Sequence, residues 1–209
     1  MLKKFILILA IVPFLLVSPF GASAAQEKKA YPTGTEIESL NQELQKLVEE
    51  ANEKLADGQE NIEVSSENLK LVFKQEDIVN STFKKSSQLD SKGLSANAIG
   101  SKSYQAYVAN TTGYNFRHAV HGTFTWNGSY LSQVTADEDL TGIMYGKSAT
   151  TKVTGVDGVI GKNAKIGKVT SKGVFTPLKW SPFPFYTTLV VDVYAPTKSY
   201  RIITAKIAN

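Results

Sequence analysis

Histidine side chains are the groups best suited to acid–base or metal chemistry near neutral pH, and this 209-residue chain has two of them. They stand three positions apart, as His118 and His121. On a helix this spacing would place both imidazoles on one face, whereas on a strand it points them to opposite faces. The surrounding residues predict a strand, so we expect the two histidines not to share a metal ion.

Nucleophilic catalysis finds little support in the sequence. A serine hydrolase needs a histidine between a serine nucleophile and a carboxylate, and the chain lacks the Gly-x-Ser-x-Gly motif of one large hydrolase class. It also has no cysteine, which excludes a thiolate nucleophile and disulfide bonds. We therefore expect a disulfide-free protein that is not an enzyme, with no catalytic residues and no cofactor.

One tight acidic cluster, Asp137-Glu138-Asp139, follows a predicted strand, and we expect it to lie on a loop. Three carboxylates make these residues calcium candidates, because extracellular calcium fills even weak sites. A carboxylate pair for glycoside hydrolysis is less well supported, since no second acidic pair stands out. The other interpretation is a solvated turn without a ligand.

Five lysines follow one another closely in the second half of the chain, with few acidic residues nearby: Lys162, Lys165, Lys168, Lys172 and Lys179. They are candidate contacts for an anionic polymer. Lysines along an edge strand also prevent aggregation between sheets, which is the alternative interpretation. Aromatic residues do not alternate with these lysines, so we expect no nucleic-acid partner.

Four aromatic residues surround two prolines near position 183: Trp180, Phe183, Phe185 and Tyr186. Such a segment is a candidate aromatic platform for sugars or for a membrane surface. The alternative, which we favour, is that these side chains close one end of the folded core.

Charge divides the chain into two regions. Residues 26–99 contain nine lysines and 14 acidic residues, whereas residues 100–209 contain 12 lysines or arginines and five acidic residues. The basic half suggests a surface for anionic polymers such as cell-wall phosphates. The alternative is that the two regions neutralise each other within one fold.

The first 24 residues have the pattern of a secretory signal peptide. Lys3 and Lys4 precede an apolar run from Phe5 to Val17, and Ala22-Ser23-Ala24 predicts cleavage between Ala24 and Ala25. The run is shorter than the ~20 residues that span a bilayer, which disfavours an uncleaved anchor. We expect a secreted protein without a stable membrane span in its mature form, and the absence of cysteine suits a single-membrane bacterium.

An amphipathic helix is predicted at about residues 36–57, with Thr35 as N-cap and Glu38 completing a capping box. Its apolar stripe recurs at helical spacing through Ile37, Leu40, Leu44, Leu47, Val48, Ala51 and Leu55. The stripe predicts docking on the chain's own core, with a dimerising helix as the alternative. Residues 25–98 then form an acidic N-terminal region.

The pattern from residue 99 to residue 209 predicts a basic β-sandwich domain. Short strands punctuated by glycine and proline are typical of an antiparallel, immunoglobulin-like sandwich, so the fold class is mainly β, preceded by one helix. The clearest hairpin turns at Asn127-Gly128, a dipeptide typical of type I′ turns. That turn would place Trp126 opposite Ser129 and Phe124 opposite Leu131.

Together these features predict a secreted, non-enzymatic binding or structural protein of the bacterial cell envelope or its surroundings. Its expected partner is an anionic cell-wall polymer or an extracellular protein. The alternative function is a secreted antibacterial or membrane-active protein, in which the acidic helix shields the basic half.

Overall fold

The computed structural model describes residues 32–78, 99–142, 145–177, 184–195 and 199–208. The predicted signal peptide and its cleavage site lie outside the described residues. One helix and ten strands follow in chain order: α1 Gly34–Ala56, β1 Ile62–Ser65, β2 Leu69–Asp77, β3 Gly100–Asn110, β4 Arg117–Asn127, β5 Tyr130–Val134, β6 Asp137–Thr141, β7 Tyr145–Gly155, β8 Ile166–Pro177, β9 Phe185–Tyr194 and β10 Ser199–Ala208.

Helix α1 begins two residues before the predicted start because its N-cap is Thr33 and not Thr35. The Glu36 carboxylate accepts a hydrogen bond of 2.9 Å from the backbone N–H of Thr33, which completes the capping box one half-turn earlier than expected. Asp57 caps the other end, and Gly58 then takes a positive φ of 84° that stops the helix.

The first six strands form one antiparallel sheet in the order β1-β2-β3-β4-β5, with β6 also pairing with β4. Strand β2 pairs with β3 along its whole length, so strands from both sides of residue 98 are neighbours in this sheet. Helix α1 contacts β1 and β2 as well. The acidic and basic regions of the sequence therefore meet in one core.

The β4–β5 hairpin turns one position later than predicted. Asn127 pairs with Tyr130 around Gly128, whose φ is 65°, and Trp126 pairs with Leu131. Moving a two-residue turn by one position changes the pairing register by two residues, so Trp126 and Leu131 stay on the same face. A bulge between Thr125 and Trp126 then shifts the pairing by one residue, and Phe124 pairs with Val134 instead of Leu131. Trp126 and Leu131 consequently both remain buried.

Strands β7 to β10 form a second antiparallel sheet in the order β10-β9-β8-β7. Strands β3, β4 and β5 of the six-stranded sheet contact β8 and β9 of this four-stranded sheet, and the two inner faces share one apolar core. The prediction of a mainly β protein with two antiparallel sheets and one helix is confirmed. An immunoglobulin-like arrangement is not confirmed: among the described strands, pairing follows chain order except that β6 pairs with β4.

Helix α1 docks on its own chain, at the side where strand β10 and strands β1 and β2 meet. Its apolar stripe enters the shared core, and the side chains of Leu44 and Ala51 have no exposed surface. The Glu43 carboxylate accepts hydrogen bonds from Ser66 Oγ at 2.7 Å and from Asn68 Nδ2 at 2.8 Å, which fixes the helix to the β1–β2 turn.

Candidate functional site

The two histidines point to opposite faces of β4, as their spacing predicted. His118 faces the core and is fully buried, whereas His121 faces solvent. They consequently do not meet at one ion. Within the described part of the chain, no group of three or more acidic, histidine or cysteine side chains is arranged to hold a metal.

The buried His118 links the two sheets through a polar network that the sequence did not reveal. Its Nε2 lies 2.8 Å from Ser171 Oγ on β8, and its Nδ1 lies 2.7 Å from Thr187 Oγ1 on β9. Thr151 Oγ1 in turn donates to Ser171 Oγ at 2.8 Å. Burial lowers the pKa of His118 to about 4, so the imidazole is neutral at pH 7.

A serine hydroxyl beside an imidazole resembles half of a hydrolytic triad, but here the pair has no route to a substrate. His118, Ser171 and Thr187 are all fully buried between the sheets. A nucleophile has to contact its substrate directly. We therefore assign this network to the stability of the sandwich.

The acidic cluster lies on strand β6 and not on a loop, which corrects the sequence-based expectation. Alternation along β6 places Asp137 and Asp139 on one face and Glu138 on the other, so the three carboxylates do not converge. The Asp139 carboxylate accepts a hydrogen bond of 2.6 Å from Arg117, whose guanidinium stacks 4.5 Å from the ring centre of Tyr107.

Two residues of the candidate aromatic platform, Phe185 and Tyr186, are described by the structure. Trp180 and Phe183 lie outside the described residues. Phe185 is buried and stacks on Phe175 with ring centres 5.0 Å apart. Tyr186, the next residue of the same strand, is exposed on the opposite face. Phe185 and Tyr186 therefore do not share one surface: Phe185 helps to fill the core, and Tyr186 does not.

Two of the five candidate lysines come together on the outer face of the four-stranded sheet. Lys168 and Lys172 both occupy outward positions of β8, four residues and about 13 Å apart. Lys162 and Lys165 are exposed in the loop between β7 and β8. Lys179 lies outside the described residues.

Sheet pairing adds two lysines to this face that the sequence analysis missed. Lys152 of β7 pairs with Thr170, the residue midway between Lys168 and Lys172. Lys206 of β10 pairs with Thr188, which pairs on its other side with Lys172. Two strand spacings separate Lys172 from Lys206, or about 10 Å. We name Lys152, Lys168, Lys172 and Lys206 the basic face.

Hydroxyl groups occupy many of the outward positions around the basic face, and Asp192 of β9 pairs with Lys168 on the same face. The outward-facing serine and threonine residues of the four strands are Ser148, Thr150, Thr154, Thr170, Thr176, Thr188 and Thr204. The cross-strand neighbours of Lys172 are Thr150 and Thr188, so no acidic side chain stands directly beside it. A hydroxyl can donate a hydrogen bond to an anion that a neighbouring lysine attracts.

Charge separates by sheet in the folded protein as well as along the chain. The four strands of the second sheet carry six Lys or Arg residues and a single acidic residue, Asp192. The strands of the six-stranded sheet carry four basic and six acidic residues. Helix α1 adds six acidic residues and two lysines. The positive charge of the described strands thus concentrates in the second sheet, and four of its six basic residues form the basic face.

No protein-family model, curated protein or solved structure matches the chain. A functional interpretation therefore rests on the geometry and charge of this chain. Among the described residues, no helix combines the length and the apolarity that crossing a bilayer requires.

Proposed function

We propose that the protein is a secreted, non-enzymatic binding or structural protein of the bacterial cell envelope or its surroundings, and that its basic face contacts an anionic polymer. The observation that supports this most directly is the concentration of Lys152, Lys168, Lys172 and Lys206 on one flat face whose strands contain one acidic residue. Lys168 pairs with Asp192, whereas the cross-strand partners of Lys152, Lys172 and Lys206 are threonines, so these three ammonium groups can attract an anion.

A flat face suits a long repeating polyanion better than a small molecule. Small-molecule sites are concave and bury most of the ligand, whereas the basic face is the outer surface of a sheet. A polymer gains affinity by repeating weak contacts along its length. The spacings of about 10 and 13 Å between lysines would engage separate charges of one extended chain.

The test is retention on purified Gram-positive cell walls, with inorganic polyphosphate as a soluble competitor. The triple variant Lys152→Gln, Lys172→Gln and Lys206→Gln should bind about 10- to 100-fold more weakly, given roughly 0.5–1 kcal/mol for each exposed charge contact. Retention should also fall as salt rises from 0.05 M to 0.5 M, because exposed charges are screened.

A matched control removes the same amount of charge from other surfaces. The variant Lys46→Gln, Lys70→Gln and Lys74→Gln changes one lysine of α1 and two of β2. Equal loss of retention in both triple variants would attribute binding to net charge and exclude the basic face. No retention of the unsubstituted protein at low salt would refute the proposal itself.

The alternative of a membrane-active protein shielded by its acidic helix receives no specific support from the fold. The helix contributes its apolar stripe to the core and packs beside β10, β1 and β2. Of its acidic residues, Glu50 and Glu53 are exposed, and Glu49 lines a groove with Lys206, so the helix places one carboxylate at the margin of the basic face and not across it.

A further inference from the structure

The loop between β7 and β8, residues 156–165, exposes apolar side chains that are not part of the core. Val156 is 51% exposed and Val159 is 58% exposed. Valine is not a residue that turns favour, because its branched side chain suits strands, and loops more often contain glycine, asparagine, aspartate or serine. The two valines therefore need an explanation beyond local backbone preference.

Hydrogen bonds hold this β7–β8 loop in a defined conformation. The Asp157 carboxylate accepts from the backbone N–H groups of Lys165 and Ile166 at 2.9 and 3.0 Å. Asn163 Oδ1 accepts from the backbone N–H of Val159 at 2.9 Å. The loop is also joined to β5, since Leu131 N–H donates to the Ala164 carbonyl at 2.7 Å. The exposure of the valines is thus a fixed feature of the fold.

Other exposed apolar residues lie at the same end of the sandwich. Ile78 and Ile99 flank the ends of β2 and β3, and the register that pairs Gly100 with Trp126 places them at the end where β4 turns into β5. That hairpin turn adjoins the β7–β8 loop through Leu131. Of the five large apolar residues exposed in the described part of the chain, four therefore lie at this end and Tyr186 lies elsewhere.

Two lysines lie in the same loop as the two valines. Lys162 and Lys165 are exposed within the β7–β8 loop. The loop's acidic residue, Asp157, already accepts two backbone hydrogen bonds. Two acidic residues, Glu60 and Asp77, lie at the same end of the sandwich but near β2 and β3. Their carboxylate oxygens are 2.7 and 3.5 Å from the ammonium nitrogen of Lys102.

We propose that the β7–β8 loop binds an anionic lipid surface, with Val156 and Val159 entering the headgroup layer and Lys162 and Lys165 contacting lipid phosphates. Exposed apolar groups flanked by lysines are the features that interfacial membrane binding requires. A loop tip is convex, so a protein partner would have to supply a matching pocket, whereas a lipid surface deforms around it. This inference uses residues other than the basic face and goes beyond the proposed function.

The test is co-sedimentation of the full chain with vesicles of equal parts phosphatidylglycerol and phosphatidylcholine, compared with pure phosphatidylcholine vesicles. The double variant Lys162→Gln and Lys165→Gln should bind the anionic vesicles about 25-fold more weakly, at about 5-fold for each lysine. The double variant Val156→Ser and Val159→Ser should lose about tenfold. Tyr186→Ser, which removes an exposed apolar group elsewhere, should bind as the unsubstituted protein does.

A spectroscopic variant distinguishes insertion from simple charge attraction. In Val159→Trp, the tryptophan emission should shift to shorter wavelength when anionic vesicles are added, because the ring enters an apolar layer. Failure of the unsubstituted protein to bind anionic vesicles, equal binding to pure phosphatidylcholine, or unchanged binding of the valine variant would overturn the proposal. Both loop variants should keep their cell-wall retention, so the two proposals can fail separately.

Discussion

The side chain of Asn41 on helix α1 pairs with the backbone of Ile207 on strand β10 in the way that a neighbouring strand would. Asn41 Nδ2 donates to the Ile207 carbonyl at 2.7 Å, and Asn41 Oδ1 accepts from the Ile207 N–H at 2.9 Å. Strand β10 is an edge of the four-stranded sheet, and an unpaired edge exposes backbone groups that promote aggregation. The Asn41 amide therefore holds the helix against β10 and provides hydrogen-bond partners for two backbone groups of that edge.

Replacing this amide should destabilise the protein. Asn41→Ala removes both hydrogen bonds and leaves two backbone groups of Ile207 without their partner, so we expect the free energy of unfolding to fall by about 1–3 kcal/mol. Urea denaturation monitored by circular dichroism measures this. The control Gln42→Ala alters an exposed residue of the same helix and should change the free energy of unfolding by less than about 0.5 kcal/mol. Equal effects of the two substitutions would exclude the edge contact as the cause.

Helix docking can be tested through its most buried side chain. Leu44 lies fully within the shared core, so Leu44→Ala should cost about 2–5 kcal/mol of unfolding free energy by leaving a cavity. Gln45→Ala, at the next and exposed position, keeps the helix and the core intact. A loss below about 1 kcal/mol for Leu44→Ala would mean that the helix is detached in solution.

Helix α1 and the opposite facing of the two histidines were predictable from the sequence, because each depends on local periodicity. The 3.6-residue spacing identified the buried stripe of α1, and alternation placed His118 and His121 on opposite faces of β4. The N-cap was misplaced because Thr33 and Thr35 both precede a glutamate by three residues. Local sequence alone does not rank two such capping boxes.

The missed features depend on contacts between distant segments. Strand β6 was predicted as a loop because it directly follows the second strand of the hairpin, yet pairing with β4 and the Arg117–Asp139 ion pair stabilise it as a strand. The basic face was missed in part because Lys152 and Lys206 are 54 residues apart in sequence and lie on the two edge strands of the second sheet, so only the strand order places them on one face. The bulge after Thr125 likewise has no clear signal in the sequence.

Close packing of Gly173 against the His118 network leads to a third prediction. A methyl group added at Gly173 would lie 2.8 Å from Thr187 Oγ1, 2.8 Å from Leu140 Cδ2 and 3.2 Å from His118 Nδ1. Gly173→Ala should therefore displace the Thr187–His118 hydrogen bond and lower the free energy of unfolding by about 1–3 kcal/mol. Gly34→Ala is the matched control, since nothing lies within 4 Å of the added methyl group. Equal stability of both variants would show that the methyl group at position 173 is accommodated without displacing the His118 network.

Acid should destabilise the protein through His118. Burial lowers the pKa of this imidazole from 6.5 to about 4 in the folded state. Above pH 6.5 the imidazole is neutral in both the folded and the unfolded chain, so its neutral network contributes its full stability. Between pH 6.5 and pH 4 the unfolded chain takes up a proton that the folded chain does not, so the free energy of unfolding falls as pH falls. The total loss is on the order of 3 kcal/mol.

Two measurements check this pH dependence. Urea denaturation between pH 7 and pH 5 isolates the histidine contribution, because most carboxylates stay ionised in that interval. His118→Gln should flatten the slope there, whereas His121→Gln, on the exposed face, should keep it. If His118→Gln does not fold, nuclear magnetic resonance titration of the unsubstituted protein still gives the midpoint of the buried imidazole. A midpoint near pH 6.5 for His118 would contradict the burial of an uncharged imidazole between the two sheets.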